Sequence, residues 1–330
     1  MKTLITGASG FIGSAVLRQL LAAGLPVRAL IRAHGDTRNI DGLSVEIVYG
    51  DITDRPSLDR AMAGCSTLFH LAADYRLWVS DPRMIYETNV AGTRNVMLSA
   101  MKAGIKRIVY TSSVATLGLT RDGSPADENT PVSLKDMIGH YKRSKFMAED
   151  EVKRLEHEGG LPVIIVNPST PIGPRDIKPT PTGQMVRNAA CGRIPAYVDT
   201  GLNLVHVDDV AQGHLLALER GQIGDQYILG GFNLSLKEIL SAIAAIVGRK
   251  PPTVCLPHQL VFPAAYLSEA WAHIVSKREP RVTLDGVRLA RKKMFFSNEK
   301  ARRILGFNPR PVEEALRDAV AWFRESGYLR

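Results

Sequence analysis

The stretch KTLITGASGFIG, residues 2–13, decides the fold. A short strand-like run, KTLIT, gives way to three glycines spaced by three, Gly7, Gly10 and Gly13, and an apolar run with helical periodicity begins at Phe11. Glycine in that place lets the backbone turn tightly and come close to a pyrophosphate. The helix N-terminus behind it offers unpaired N–H groups and the positive end of its dipole. Turns use glycine for other reasons as well. The position between a first strand and a first helix lifts this motif above a tight turn and makes it a dinucleotide site.

Working outward, strand-like and helix-like runs alternate through the first half of the chain. A helix is predicted over about 11–23, followed by the strand PVRALIR, the strand VEIVYGD and a helix over about 56–63. Then come TLFHLAA, a long helix over about 82–103, the strand RIVYTSS, a helix over about 138–157 and the strand LPVIIVNPS. This rhythm predicts an α/β fold: a Rossmann-type, doubly wound parallel sheet with helices on both faces, and a smaller C-terminal substrate lobe. After Pro168 the proline- and glycine-rich NPSTPIGPRDIKPTPTG leaves the sheet, and NLVHVDDVAQGHLLALE and QYILGG read as returns to it. The expected NAD(P)-binding domain is therefore 1–169 plus about 203–232. The substrate-binding lobe is about 170–202 plus 233–330, with helices near 236–247, 263–276 and 312–326.

Composition narrows the function classes. With 330 residues, 45% hydrophobic and 23% charged, the chain has material for a sizeable core. No apolar run approaches the roughly 20 residues that a membrane-spanning helix needs. The first strand starts at Lys2, which leaves no room for a signal peptide. Cys65, Cys191 and Cys255 are odd in number, widely spaced and not arranged as metal ligands. They read as reduced thiols of a cytoplasmic protein, and no metal is expected. The net charge of +9 favours an anionic cofactor or substrate, with a weak attraction to anionic membrane surfaces behind it. Apart from RLARKK at 288–293 the basic residues are scattered, which is not the footprint of a nucleic-acid-binding protein.

The second strand bears on which dinucleotide binds. An NAD site usually places a carboxylate about 20 residues beyond the glycines to hold the ribose 2′-hydroxyl. Here the strand ends in Arg32, and Arg38 follows in the loop. A guanidinium suits a 2′-phosphate, so NADP(H) is the preferred cofactor, with NAD(H) the alternative and a solvated Arg32 the plainer reading. Asp51 and Ile52 of GDIT fall where an adenine would lie, although an aspartate there also serves a turn. His70, Leu71, Ala72 and Ala73 close the fourth strand. The small residues suit a backbone close to cofactor, and His70 reads as a packed strand histidine. Phe11, Ile12 and Pro168 complete the expected cofactor contacts.

Tyr141 and Lys145, in YKRSK, carry the chemistry. A spacing of four stacks both side chains on one helix face. A tyrosine titrates near 10 when unperturbed, and a neighbouring ammonium is expected to lower that value and fit the phenol for proton exchange at neutral pH. A hydroxyl should stand beside the reacting oxygen. Thr111, Ser112 and Ser113 follow the fifth strand at its carboxyl edge, and Ser113 reaches furthest toward the cleft. Asn89 shares an inward helix face with Ile85, Gly92, Val96 and Ala100, so its amide either ties the helix to a neighbouring strand or supports Lys145.

Taken in order, TGASGFIG, GDIT, HLAA, NVAGTRN, YTSS, YKRSK and LVHVDDVA resemble the extended short-chain dehydrogenase/reductase family, also called the NAD-dependent epimerase/dehydratase family. The likeness runs over nearly the whole chain. It implies a Rossmann lobe, a substrate lobe, a Ser113–Tyr141–Lys145 active site and a homodimer formed through two long helices. ADYRLW, IGHYKRSKF, NPSTPIGPRDIKPTPTG, AYVDTGLNLVHVDDVA and RLARKKMFFS further resemble bacterial hopanoid-associated sugar epimerases, which are similar to dihydroflavonol 4-reductases.

Two departures favour a reductase over a nucleotide-sugar epimerase. In epimerases of this type an arginine stands four residues before the HVDD-type histidine, and here that position is Leu202. Arg32 also favours NADP(H) over a tightly held NAD. Arg187, Arg193, Arg281 and Arg288 are alternative phosphate partners. Tyr75, Arg76 and Trp78 are expected over the nicotinamide end, and LVFPAAYLSEAWAHIV is either an apolar wall of the cleft or ordinary packing. The expected activity is NADP(H)-dependent interconversion of a small-molecule carbonyl compound and an alcohol. A sugar epimerase or dehydratase is the rival, and a non-catalytic dinucleotide sensor is the alternative from another class.

Overall fold

The computed structural model describes residues 2–79, 81–271 and 283–329. In chain order the first half runs β1 (Lys2–Thr6), α1 (Phe11–Ala22), β2 (Val27–Ile31), β3 (Glu46–Tyr49), α2 (Arg55–Met62) and β4 (Cys65–His70). It continues with α3 (Arg83–Tyr86), a π-helical stretch at Glu87–Gly92, α4 (Thr93–Ala103), β5 (Arg107–Thr111), α5 (Gly139–Gly159) and β6 (Val163–Pro168). The second half holds β7 (Thr170–Ile172), α6 (Pro181–Ala190), β8 (Ala196–Tyr197), β9 (Gly201–His206), α7 (Val207–Arg220), β10 (Gln226–Leu229), β11 (Phe232–Ser235) and α8 (Leu236–Ile246). β12 (Val254–Cys255), α9 (His258–Trp271), α10 (Leu284–Ala290), β13 (Lys293–Met294) and α11 (Val312–Glu325) follow.

Seven strands form one sheet in the order β10-β6-β5-β4-β1-β2-β3. All its pairings are parallel. Its strands bury both faces, because successive side chains point to opposite sides. Ile5, Phe69, Val109 and Ile164 pack with Val16, Leu17 and Leu20 of α1 and Val210 and Ala217 of α7. Their neighbours Leu4, Leu68, Ile108 and Ile165 pack on the other face with Leu58 of α2, Val96 and Met97 of α4, and Val152 of α5. This two-sided burial is why the strands read as continuous apolar runs rather than as alternation. The strand order reverses between β1 and β4, which opens a crevice at the carboxyl ends of those two strands.

The second sheet corrects one expectation. Residues 203–206 do not return to the parallel sheet: β9 belongs to a smaller sheet with β7, β11 and β13. β10 occupies the free edge of β6, through pairs such as Tyr227 with Val166. β9 meets β11 along one edge and β7 and β13 along the other. The return to the main sheet comes with α7 and β10. Leu204 packs with Ile172, Val186, Ile239, Leu316, Val320 and Phe323 in a third core outside the main sheet. The long helix expected over 82–103 is continuous but contains the π-helical stretch around Asn89. The helix expected over 263–276 begins earlier, at His258, and residues 272–276 lie outside the described ones.

Candidate active site

The glycine turn is built as its spacing requires. Gly7 has φ 74°, and a Cβ on it would lie 2.6 Å from the backbone N of Ala72. On Gly13 a Cβ would lie 1.9 Å from the carbonyl oxygen of Gly7, so the first turn of α1 packs directly on the loop. Gly10 is exposed and meets only the Gly7 oxygen at 3.2 Å, and no side chain caps the helix that starts after it. A phosphate approaching that end finds unpaired amides and no Cβ in the way. Phe11 and Ile12 are half-buried in the first turn, and Leu71, Ala72 and Ala73 lie alongside, also half-buried. Thr6 fixes this junction, because its carbonyl accepts from Leu71 N and its hydroxyl from Ala72 N.

At the end of β2 the two arginines differ. Arg32 is exposed. Arg38 is engaged by Asp36, with Nη2 to Oδ2 at 2.7 Å and Nε to Oδ1 at 3.0 Å. Lys178 approaches the same carboxylate at 3.4 Å. The Arg38 guanidinium beside Asp36 holds that carboxyl far below the usual range. Sequence reading passed over Asp36, although it is a carboxylate within reach of the β2 end. Asp51 closes its own turn, accepting from Thr53 N at 2.9 Å and Thr53 Oγ1 at 2.8 Å. Ile52 is buried against Gly92. His70 is buried between Thr6 Oγ1 at 2.7 Å and Thr93 Oγ1 at 3.1 Å, and burial pushes its pKa down to about 3. It is a neutral packing residue.

The three hydroxyls after β5 separate clearly. Thr111 bonds His214 Nε2 at 2.9 Å, and Ser112 donates to the buried carboxylate of Glu149. Both serve buried side chains rather than the backbone groups that strand-end hydroxyls commonly satisfy. Ser113 Oγ accepts from Ala115 N at 3.1 Å and stands near the Tyr141 phenol, whose phenolate form it favours.

Lowering of the Tyr141 pKa is expected from the ammonium together with the positive charge of an oxidised nicotinamide; the protein groups alone move it the other way. Burial raises it, and the nearby Ser113 hydroxyl offsets only part of that effect. Lys145 is engaged elsewhere. Its ammonium donates to the Thr111 carbonyl at 2.9 Å and to the Tyr110 hydroxyl at 3.4 Å, and it sits over the Tyr110 ring. Burial brings Lys145 down to about 8, although the nearby Glu149 charge pulls the other way.

Glu149, one turn beyond Lys145 on α5, is a residue that sequence reading missed. Burial would push this carboxyl up, but Lys153 and the hydrogen bonds from Ser112 and Thr116 outweigh it and hold it low. Asn167 Nδ2 donates both to Glu149 at 3.0 Å and to the Ser113 carbonyl at 3.1 Å. The available signal was a carboxylate continuing the Tyr141–Lys145 face by four more residues. Asn89 takes a different role from either expectation. Its amide bonds the Asp74 backbone at both ends, at 2.7 and 2.8 Å, and donates to Ser144 Oγ at 2.9 Å. It ties the loop after β4 to α5 beside the Tyr141 and Lys145 turns.

Around the cleft, Tyr75 donates to the Lys178 carbonyl at 3.3 Å and Arg76 pairs with Asp74. Leu202 is half-buried against the third core. Arg288 pairs with Asp285 at 3.1 Å, and Arg281 lies outside the described residues. Pro168 ends β6 between two buried polar atoms, Asn167 Oδ1 and Ser169 Oγ, that have no partner among the described residues. Unclaimed polar atoms at the carboxyl end of a central strand, together with the open glycine turn, fit a dinucleotide cofactor. Among the described residues there is no cluster of side chains that could hold a metal ion.

Comparisons with known proteins agree with this geometry. The family model described as the NAD dependent epimerase/dehydratase family matches residues 3–230. A curated relative from Synechocystis, a putative dihydroflavonol 4-reductase, is 44% identical over 330 residues, covering 99% of this chain and 95% of the relative. Sterol demethylase protein B of Methylococcus capsulatus is 36% identical and matched over 100% of both chains. The crystal structure of a nucleoside-diphosphate-sugar epimerase from Pseudomonas aeruginosa superposes with a TM-score of 0.83, at 25% identity, covering 100% of this chain and 99% of that one.

Proposed function

The chain belongs to the NAD-dependent epimerase/dehydratase family, and from that premise we propose that it is an NADP(H)-dependent carbonyl reductase of the dihydroflavonol-reductase kind. The observation that carries this reading is Lys145, buried one turn beyond Tyr141 on the same face of α5 and donating to the Thr111 carbonyl, with the Ser113 hydroxyl near the Tyr141 phenol. When bound, the reduced nicotinamide supplies hydride to the carbonyl carbon. Tyr141 gives its phenolic proton to the carbonyl oxygen, and Ser113 donates a hydrogen bond to that oxygen as negative charge develops. Carbonyl, hydride and proton together make the alcohol. Lys145, anchored to the Thr111 carbonyl at the end of β5, would orient the ribose.

A phenol held above its ordinary pKa is a protonated acid at neutral pH, which suits the reductive direction. Arg32, exposed at the end of β2, supports binding of a 2′-phosphate, and Lys178 and Arg38 offset the Asp36 carboxylate that follows it in the loop. Leu202 offers a nucleotide-sugar diphosphate no cation, which favours a reductase over an epimerase. The reductase and sterol names of two relatives point to a ketone on a largely apolar body as the substrate class. Tyr141→Phe tests the mechanism. Turnover should fall by about a hundredfold or more, as expected on losing a general acid, while the cofactor dissociation constant stays within about twofold of wild type, a change of only a few tenths of a kcal/mol. Full activity in this variant would reject the assignment.

A further inference from the structure

Helix α9 turns its large apolar side chains outward. Leu260, Leu267 and Trp271 are spaced by seven and four, which places them on one helix face. They are 67%, 69% and 62% exposed, and Tyr266 beside them is 66% exposed. Val254 and Leu256, just before the helix, extend the apolar surface. Ala265 is buried on the inner side, and Glu269 accepts from Leu284 N at 2.7 Å, so α9 is tied to α10 and its outer face is exposed among the described residues. Single exposed apolar residues are ordinary on a protein surface; three on one face of a 14-residue helix are a patch.

The adjoining element supplies mainly positive charge, with two of its cations in ion pairs, Arg288 with Asp285 and Lys293 with Asp199. Arg288, Arg291, Lys292 and Lys293 are all exposed on α10 and its exit, and Asp285 is the one acid within 283–293. The hairpin also stands beside the candidate active site: a Cβ on Gly139, two residues before Tyr141, would lie 3.2 Å from Asp285 Oδ2.

We propose that the α9–α10 hairpin docks this protein on the surface of an anionic phospholipid bilayer. Leu260, Leu267 and Trp271 enter the boundary between headgroups and acyl chains, and the four cations meet the phosphates. No described helix is long and apolar enough to cross a membrane, so the contact is interfacial. A second copy of the chain fits this face less well. A two-fold contact sets the same patch against itself, bringing the four cations of one copy against those of the other. Docking by this hairpin sets the mouth of the Tyr141 site next to the bilayer, a source of apolar carbonyl compounds. The docking itself is independent of the chemistry at Tyr141.

The test is flotation of the full chain with vesicles of phosphatidylcholine alone or mixed with phosphatidylglycerol, at low and high salt. The protein should float with the mixed vesicles, stay largely behind with the neutral ones, and be released by salt. Leu267→Gln combined with Trp271→Gln should lower partitioning by about tenfold or more through lost apolar burial. Arg291→Glu combined with Lys292→Glu should do the same through reversed charge, at exposed positions that leave folding intact. Circular dichroism and cofactor affinity should be unchanged in both pairs. Absence of wild-type flotation, or flotation that neither pair alters, would overturn the proposal. A Leu267/Trp271 variant that turns a dimer into a monomer without changing flotation would assign the face to a second copy instead.

Discussion

Replacing Glu149 with leucine removes the acceptor on which the floor of the candidate site converges. Ser112, Thr116 and Asn167 all donate to its Oε2, and Lys153 bonds Oε1 at 2.7 Å. The four losses are unequal. The Lys153 side chain is 46% exposed and returns to water, so its share is small. Thr116 and Asn167 keep the Ser113 carbonyl as acceptor, at 2.8 and 3.1 Å. Ser112, 5% exposed, is left with no acceptor. One stranded donor and two weakened ones cost about 2–4 kcal/mol, since each buried unsatisfied group costs about 1–3 kcal/mol. Glu149→Gln keeps an acceptor oxygen and should lose about half as much. Urea unfolding with the midpoint and slope fitted together reads both values. The charge has a second consequence. Glu149 holds the Lys145 ammonium up against its burial, so Glu149→Gln should bring Lys145 below its value of about 8. An alkaline fall in activity that follows loss of the Lys145 proton then moves to lower pH. A Glu149→Leu variant within about 0.5 kcal/mol of wild type, the range of a neutral surface change, with an unchanged pH profile, would refute this account of the network.

Two further predictions concern the cofactor. Arg32→Ala should raise the KM for NADPH by about tenfold to a hundredfold, as expected for hydrogen bonds between charged groups, while leaving that for NADH nearly unchanged. Arg38→Ala should discriminate less, because Arg38 is already engaged by Asp36; equal effects of Arg32→Ala on both cofactors would remove the 2′-phosphate role. Gly13→Ala puts a Cβ 1.9 Å from a backbone oxygen, and overpacking of that kind costs about 1–3 kcal/mol. Fluorescence titration should show cofactor affinity falling by at least about tenfold, whereas Gly10→Ala, with its 3.2 Å contact, is tolerated better by the fold.

The main sheet was legible because both of its faces are buried. Strands such as VIIVN and TLFHL are apolar throughout, and β-α alternation allows few other arrangements. The second sheet was not legible. GLNLVH has the same composition as a main-sheet strand, and only the pairing of β10 with β6 decides that β9 lies elsewhere. In the candidate site the periodicity of α5 placed Tyr141 and Lys145 on one face, but it could not show that Lys145 turns toward Thr111. Nor could it show that Glu149 gathers three donors from β5, the turn after it and β6. Those contacts join segments far apart in the chain, and side-chain direction across such distances leaves no local pattern. Asp36 was passed over for a related reason: its distance from the glycines is that of a ribose-binding acid, but its partner Arg38 cancels it within two residues.

In the proposed reaction hydride leaves the protein in a product and the cofactor is exchanged at each turnover. The direct measurement is NADPH consumption, followed at the nicotinamide absorbance, against a panel of aldehydes, ketones, flavanones and sugar derivatives, with NADH in parallel. The predicted result is one NADPH oxidised per alcohol formed with an apolar ketone, a smaller rate with NADH and turnover lowered about a hundredfold or more in Tyr141→Phe. Conversion of a sugar substrate with no net change in cofactor would contradict the claim and return the chain to the epimerases it resembles.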